Sequence, residues 1–161
     1  MKQILSIFTI VLFFSGAVSA QNNSSEATWG VEAGLLYLNQ SSGGDTTTVL
    51  PMLNGRLWHS GPWGLNAQVG ATVYKDANSD KTFSIGVFRL NPLYQIADTK
   101  FSLEGLLGVQ KWEDQDAKAD LGLRLNYGFE SAWLSELFVG GGSVQQDETT
   151  NYLTLGLKKW F

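Results

Sequence analysis

The chain has 161 residues, a formal net charge of −4 and no cysteine. The acidic balance argues against nucleic acid as a partner, because no basic surface is available to neutralise phosphates. Without cysteine there is no disulfide framework, no zinc–thiolate site and no lipid-anchored N-terminal cysteine.

The first twenty residues have the pattern of an export signal. Lys2 supplies a positive start, residues 4–14 form an apolar run, and Val18-Ser19-Ala20 is a small-residue cleavage site before Gln21. A membrane anchor is the alternative, but a spanning helix needs about 20 apolar residues, far more than this run offers. We therefore predict a cleaved signal peptide over 1–20, a short N-terminal segment over 21–27 and one domain over 28–161.

The domain is dominated by alternation of apolar and polar residues, which predicts β-strands with two different faces. The third of eight predicted strands is the clearest, with Leu65, Ala67, Val69, Ala71 and Val73 on one face. The fourth strand is less clear, since Arg89 shares the face of Phe83, Ile85 and Val87. Arg89 is predicted either to reach a rim or to follow a bulge that switches the phase. The facing of the fourth and seventh strands is left open.

Two kinds of connection alternate along the domain. Residues 41–48, 75–81, 113–120 and 145–151 are polar and acidic, whereas the connections at 61–62, 91–99 and 131–132 form a second group. Such alternation is typical of a barrel whose two ends differ. The sequence predicts an all-β fold, an eight-stranded antiparallel up-and-down transmembrane β-barrel.

The polar face carries few charges, and the apolar face is almost free of them. That distribution suits a narrow lumen surrounded by lipid, because a charge at the bilayer midplane costs about 2–4 kcal/mol. A soluble periplasmic barrel, with its apolar face inward, is the alternative. Aromatic residues near the strand ends are predicted to lie at the membrane interfaces: Trp29, Tyr37, Trp63, Tyr94, Trp112, Trp133 and Tyr152.

Charges on the polar face are predicted to form a structural network within the lumen. A first hairpin centred near Gly44 would bring Glu32 level with Arg56, and the last hairpin would bring Glu136 near Lys158. Glu104 and Arg124 are expected near mid-height on neighbouring strands. Buried charges need partners and hydrogen bonds. An ion path is the alternative interpretation, but a lumen of this size is filled by its own side chains.

No catalytic, cofactor or metal constellation is predicted. His59 is the only histidine and Ser60 follows it, but adjacent residues on a strand point to opposite faces. The acidic loops carry oxygen ligands for divalent cations, yet they lack the spacing of a known calcium loop, and solvation is the simpler interpretation.

The last strand ends in Phe161, preceded by leucines at alternate positions, Leu153, Leu155 and Leu157; Lys159 departs from the pattern. This ending resembles the C-terminal strand of bacterial outer-membrane β-barrels. The resemblance implies an outer-membrane location, recognition by the barrel-assembly machinery, and lipids and lipopolysaccharide as partners. It also implies that both chain ends are periplasmic and that the acidic loops face the exterior. The predicted function is non-enzymatic, structural or surface- and lipid-interacting, with a plugged lumen; a lipid A-modifying enzyme and a narrow channel are the alternatives.

Overall fold

A computed structural model describes residues 29–39, 45–75, 82–113, 116–131, 133–145 and 149–161, without the side chains of residues 74 and 75. The predicted signal peptide over 1–20 and the segment over 21–27 lie outside the described residues. Within the described part, no helix has the length and apolar character needed to cross a membrane.

Eight antiparallel strands form one closed barrel in chain order, and β1 pairs with β8 to complete it. Closure leaves no open sheet edge, so the strands satisfy one another's backbone hydrogen bonds. The strands are β1 (Trp29–Asn39), β2 (Thr46–Ser60), β3 (Trp63–Lys75), β4 (Thr82–Gln95), β5 (Phe101–Trp112), β6 (Lys118–Gly128), β7 (Glu136–Val144) and β8 (Thr150–Trp160). The predicted all-β, eight-stranded up-and-down architecture is confirmed. We call the end with the β1–β2 connection the loop end and the opposite end the turn end.

Alternation along each strand separates an apolar outer face from a mixed inner face. The outward rows expose large apolar side chains around the whole wall, among them Val31, Leu35, Val69, Val73, Phe88, Leu90, Leu103, Leu107, Leu121, Leu123, Val139, Leu153 and Leu155. The inward rows bury charged and amide side chains, among them Glu32, Asn54, Gln68, Glu104, Arg124 and Lys158. The barrel is therefore apolar outside and polar over much of its inside.

The facing of β4 is settled by its uninterrupted pairing with β3. Ile85, Val87 and Arg89 all point inward, while Phe88 and Leu90 are exposed on the wall. Arg89 thus neither reaches a rim nor follows a bulge, and both predicted explanations were wrong. The register shift lies in β2 instead, between Arg56 and Trp58.

Several predicted connections are shorter in the structure than the sequence suggests, most clearly those between β4 and β5 and between β5 and β6. β4 continues to Gln95, so much of the predicted connection over 91–99 is strand, with Pro92 on the outer face. β6 begins at Lys118, so Asp120 belongs to a strand and is buried. Polar residues marked both segments as loops, but these polar residues face the lumen.

Small inward residues make room for the largest inward side chains. A Cβ atom on Gly156 would overlap the Phe138 ring, and one on Gly34 would lie 3.1 Å from it. Phe138 is only 1 % exposed, because its ring fills the space above these two glycines. Glycines inside strands thus permit close approach, which a Cβ would prevent.

Candidate functional site

The lower half of the lumen, toward the turn end, is organised around Arg124 of β6. Its Nη1 lies 2.9 Å from Glu32 Oε1, and its Nε and Nη2 lie 3.1 and 2.6 Å from Glu104 Oε2. All three side chains are almost completely buried. The planar guanidinium suits this role because it can donate to two carboxylates at once.

Amide side chains complete the hydrogen bonding of the two carboxylates. Asn66 and Asn91 each donate to Glu104 Oε1 at 3.1 Å, and Asn126 donates to Glu104 Oε2 at 3.1 Å. Gln68 donates to Glu32 Oε2 at 3.0 Å. Each carboxylate therefore has charged and amide partners within the protein, which a buried charge requires.

Lys158 joins the network to the turn end of the barrel. Its Nζ lies 3.2 Å from Glu136 Oε2, 3.5 Å from Glu104 Oε2 and 3.9 Å from Glu32 Oε2. Trp160 Nε1 donates to Glu136 Oε1 at 2.6 Å. Glu136 and Lys158, predicted to lie near each other across the last hairpin, are directly opposite in the structure. Glu104 and Arg124, expected near mid-height on neighbouring strands, are also directly opposite each other.

Arg56 does not occupy its predicted place. Glu32 lies opposite Met52 rather than level with Arg56, because the first hairpin is centred two residues earlier than Gly44. Arg56 is partly exposed, and its guanidinium carbon lies 4.7 Å from the centre of the Trp160 ring. It covers the network at the turn end instead of pairing with Glu32.

A second buried ion pair, which was not predicted from the sequence, lies closer to the loop end than the Arg124 network. Arg89 Nε is 2.6 Å from Asp120 Oδ2, although the two residues belong to non-adjacent strands. Tyr152 donates to Asp120 Oδ1 at 2.7 Å, and Gln110 donates to Asp120 Oδ2 at 3.1 Å. Asp120 shares its strand parity with Arg124 and Asn126, and that parity was the signal for an inward position.

The loop end of the lumen is apolar. The buried cluster there consists of Leu36, Leu38, Leu50, Met52, Ile85, Val87, Leu106, Trp112, Val144 and Tyr152, with Phe83 packed against it. From turn end to loop end, the interior thus passes from the Arg56–Trp160 contact through the two ionic groups to an apolar plug.

Of the aromatic residues predicted to lie at the membrane interfaces, some are exposed on the barrel and others are buried in the lumen. Trp29, Trp63, Tyr94 and Trp133 are exposed at the turn end, and Tyr37 is partly exposed at the loop end. Trp112 and Tyr152 are buried in the lumen at 4 % and 2 % exposure, so their predicted interfacial position was wrong. Both lie on the inward parity of their strands, which their place near a strand end does not change. Among the described side chains, the exposed aromatics concentrate at one end.

The C-terminal strand presents its alternate leucines outward. Leu153, Leu155, Leu157 and Phe161 are all about half-exposed on the wall. Phe161 stacks on Trp29 with ring centroids 4.4 Å apart, and its backbone N–H donates to Trp29 O at 2.9 Å. This contact lies at the seam where the first and last strands meet.

The single histidine and the serine that follows it lie at the turn end of β2. His59 is exposed opposite Gly64, and Ser60 lies opposite Trp63 at the turn. Among the described residues, no group of three or more histidine or acidic side chains is placed to hold a metal ion. The chemistry concentrated in this barrel is charge pairing within the lumen.

This fold is the one found in small eight-stranded bacterial outer-membrane barrels. The structure of the Yersinia pestis outer membrane protein Ail in a phospholipid bilayer nanodisc is similar with a TM-score of 0.60 and 14 % identity, covering 84 % of this chain and 100 % of Ail. Neisserial surface protein A gives a TM-score of 0.59 at 14 % identity, covering 87 % of this chain and 100 % of that protein. A crystal structure of Ail with the heparin analogue sucrose octasulfate gives a TM-score of 0.54 at 16 % identity. The match covers 84 % of this chain and 97 % of Ail. No protein-family model matches the chain, and no curated protein matches it.

Proposed function

We propose that the chain is an integral outer-membrane β-barrel without enzymatic activity, whose filled interior supports a wall that contacts lipid and a loop end that contacts surface partners. One observation carries the proposal: apolar side chains cover the outer wall, while Glu32, Glu104, Arg124 and Lys158 are enclosed. A soluble barrel needs the opposite arrangement, because water must meet its outer face.

The proposed placement puts both ends of the chain in the periplasm and the loop end at the cell surface. The exposed aromatics of the turn end then lie at the inner-leaflet interface, where their amphipathic rings are favoured. The signal peptide is cleaved after Ala20 before the barrel assembles in the outer membrane. The outward row formed by Leu153, Leu155, Leu157 and Phe161 is the segment that the barrel-assembly machinery recognises.

Outer-membrane lipids and lipopolysaccharide are the proposed partners of the wall and the loop end. Ail forms a crystalline complex with the heparin analogue sucrose octasulfate, which supports a surface-binding role for barrels of this shape. Asp45, Glu113 and Asp116 are exposed at the loop end of this chain. Such carboxylates repel a polysulfate, so the loop end is expected to contact the neutral sugars of lipopolysaccharide rather than its phosphates.

Cell fractionation combined with gel migration before and after heating tests the placement. We expect the protein in the outer-membrane fraction, N-terminal sequence starting at Gln21, and a folded band that shifts on boiling. A soluble periplasmic protein with no heat-dependent shift would contradict the proposal.

Two further measurements test the absence of catalysis and of conduction. Lipid A profiles with and without the protein are expected to be identical, and an altered acyl pattern would support a lipid-modifying enzyme. Planar-bilayer recordings of the purified barrel are expected to show no stable unitary conductance. Stable steps would contradict the filled lumen and favour a narrow channel.

A further inference from the structure

The amide side chains that surround Glu104 have oxygen atoms without protein partners. Asn66, Asn91 and Asn126 all turn their NH₂ groups to the carboxylate, which directs their carbonyl oxygens away from it. No donor among the described residues reaches these three oxygens, and each side chain is at most 1 % exposed. The side-chain oxygen of Gln68 likewise has no hydrogen-bond donor among the described residues.

Buried amide oxygens need a hydrogen-bond donor. Leaving one unsatisfied costs about 1–3 kcal/mol, and internal water usually supplies the donor, making about three hydrogen bonds. A metal cation is a poor alternative, because Arg124 and Lys158 already place two positive charges within 2.6 and 3.5 Å of Glu104 Oε2. Water donates to the amide oxygens without adding charge to this cluster.

The two ends of the lumen differ in how they close this polar region. Toward the loop end, the apolar plug is almost fully buried and consists largely of aliphatic side chains such as Leu36, Leu106 and Val144. Toward the turn end, the closing groups are Trp160 and Arg56, which are both partly exposed. Among the described residues, those of the turn end therefore leave the route by which water can exchange with the polar region.

We propose that the polar half of the lumen is a blind hydration chamber, in which ordered waters bind the side-chain oxygens of Asn66, Asn91, Asn126 and Gln68 and exchange past Trp160. This inference rests on the proposed closed interior, and adds a solvent-binding site and a direction of access to it. The apolar plug keeps the chamber from becoming a path through the membrane. Hydration and lack of conductance then coexist in one barrel.

Contacts between water and the side-chain amide protons test the chamber directly. In nuclear magnetic resonance spectra of the barrel in lipid nanodiscs, we expect cross-peaks from water to the amide groups of Asn66, Asn91 and Asn126. The methyl groups of Leu36 and Leu106 are expected to show none. Amides without water contact would overturn the inference, and would leave a lipid-facing barrel intact.

The direction of access is tested by single cysteines, which a cysteine-free chain permits. Ser102→Cys reports on the chamber, since Ser102 accepts a hydrogen bond from Asn126, and Val144→Cys reports on the plug. With a small charged thiol reagent, we expect slow modification of Ser102→Cys and none of Val144→Cys. Adding Trp160→Ala should accelerate the first reaction about tenfold, equivalent to roughly 1.4 kcal/mol of barrier.

Trp160→Phe is the matched control, because it keeps a ring over Gly30 and should leave the rate of modification nearly unchanged. Heat-dependent gel migration checks that every variant is folded. Equal modification of Ser102→Cys and Val144→Cys would overturn the blind chamber in favour of a through-path. An unchanged rate with Trp160→Ala would overturn the assigned entrance.

Discussion

Arg124 and Glu104 face each other directly across β6 and β5, and two guanidinium nitrogens contact the same carboxylate oxygen at 3.1 and 2.6 Å. Both side chains are at most 1 % exposed, so neutral water would only partly offset the loss of a charged partner. The stability of the barrel therefore depends on keeping both members.

Removing the guanidinium tests that dependence. Arg124→Met leaves Glu32 and Glu104 with Lys158 as their nearest cation, and we expect a loss of about 3–5 kcal/mol in the free energy of unfolding. Lys100→Met is the control, because Lys100 and Glu130 form an exposed pair 3.1 Å apart at the turn end, worth at most about 1 kcal/mol. Urea titrations in detergent micelles measure both, and equal losses would contradict the buried network.

The close packing around Gly156 provides the second test. In Gly156→Ala, the new Cβ would overlap both Ala33 O and the Phe138 ring, so we expect a loss of about 1–3 kcal/mol. Gly55→Ala is the control, since no atom lies within 4 Å of its added Cβ. That variant should be neutral or gain about 0.5–1 kcal/mol from reduced chain entropy. Thermal unfolding of the two variants checks the difference, which a loosely packed lumen would abolish.

The contact between the first and last strands provides the third test. Trp29→Ala removes the stack on Phe161, an aromatic contact worth about 0.5–1.5 kcal/mol. We expect faster hydrogen exchange along the β1–β8 ladder. Trp63→Ala removes a similar contact with Tyr94, at 4.7 Å, between β3 and β4. Its effect should stay within that strand pair. Identical exchange patterns in the two variants would show that the stack has no special role at the seam.

The lipid-facing wall of the barrel provides the fourth test. Leu123 is exposed at the middle of β6, so Leu123→Arg should cost about 2–4 kcal/mol in a bilayer. Asn151→Arg, on the same outer face near the loop end, should cost at most about 1 kcal/mol. Folding yields into phospholipid vesicles measure the difference. A soluble barrel would tolerate both changes equally.

The sequence predicted the strands and most of their faces because lipid and lumen impose strict alternation. The proximity of Glu136 and Lys158 followed from the last hairpin, and Glu104 and Arg124 were expected at similar height on neighbouring strands. The pairing of Glu32 with Arg56 failed because a shift by an even number of residues preserves both faces, so alternation cannot select among such registers.

Contacts between non-adjacent strands were beyond the reach of the pattern. Arg89 on β4 meets Asp120 on β6 across the lumen, and no hairpin register relates them. The apolar plug was also missed, because inward apolar residues such as Ile85 and Val87 look like lipid-facing ones in sequence. Their facing depends on strand pairing with β3, which the sequence alone did not establish.

Lipid accessibility along β8 is the sharpest test of whether the outer wall of the barrel is embedded in lipid. Spin labels on single cysteines at residues 152–155 and 157, in bilayers, would be compared for collision with oxygen, which concentrates in lipid, and with a water-soluble nickel complex. We expect labels at Leu153, Leu155 and Leu157 to favour oxygen, and those at Tyr152 and Thr154 to be shielded from both. The nickel complex reaching the leucine positions freely would contradict a lipid-embedded wall.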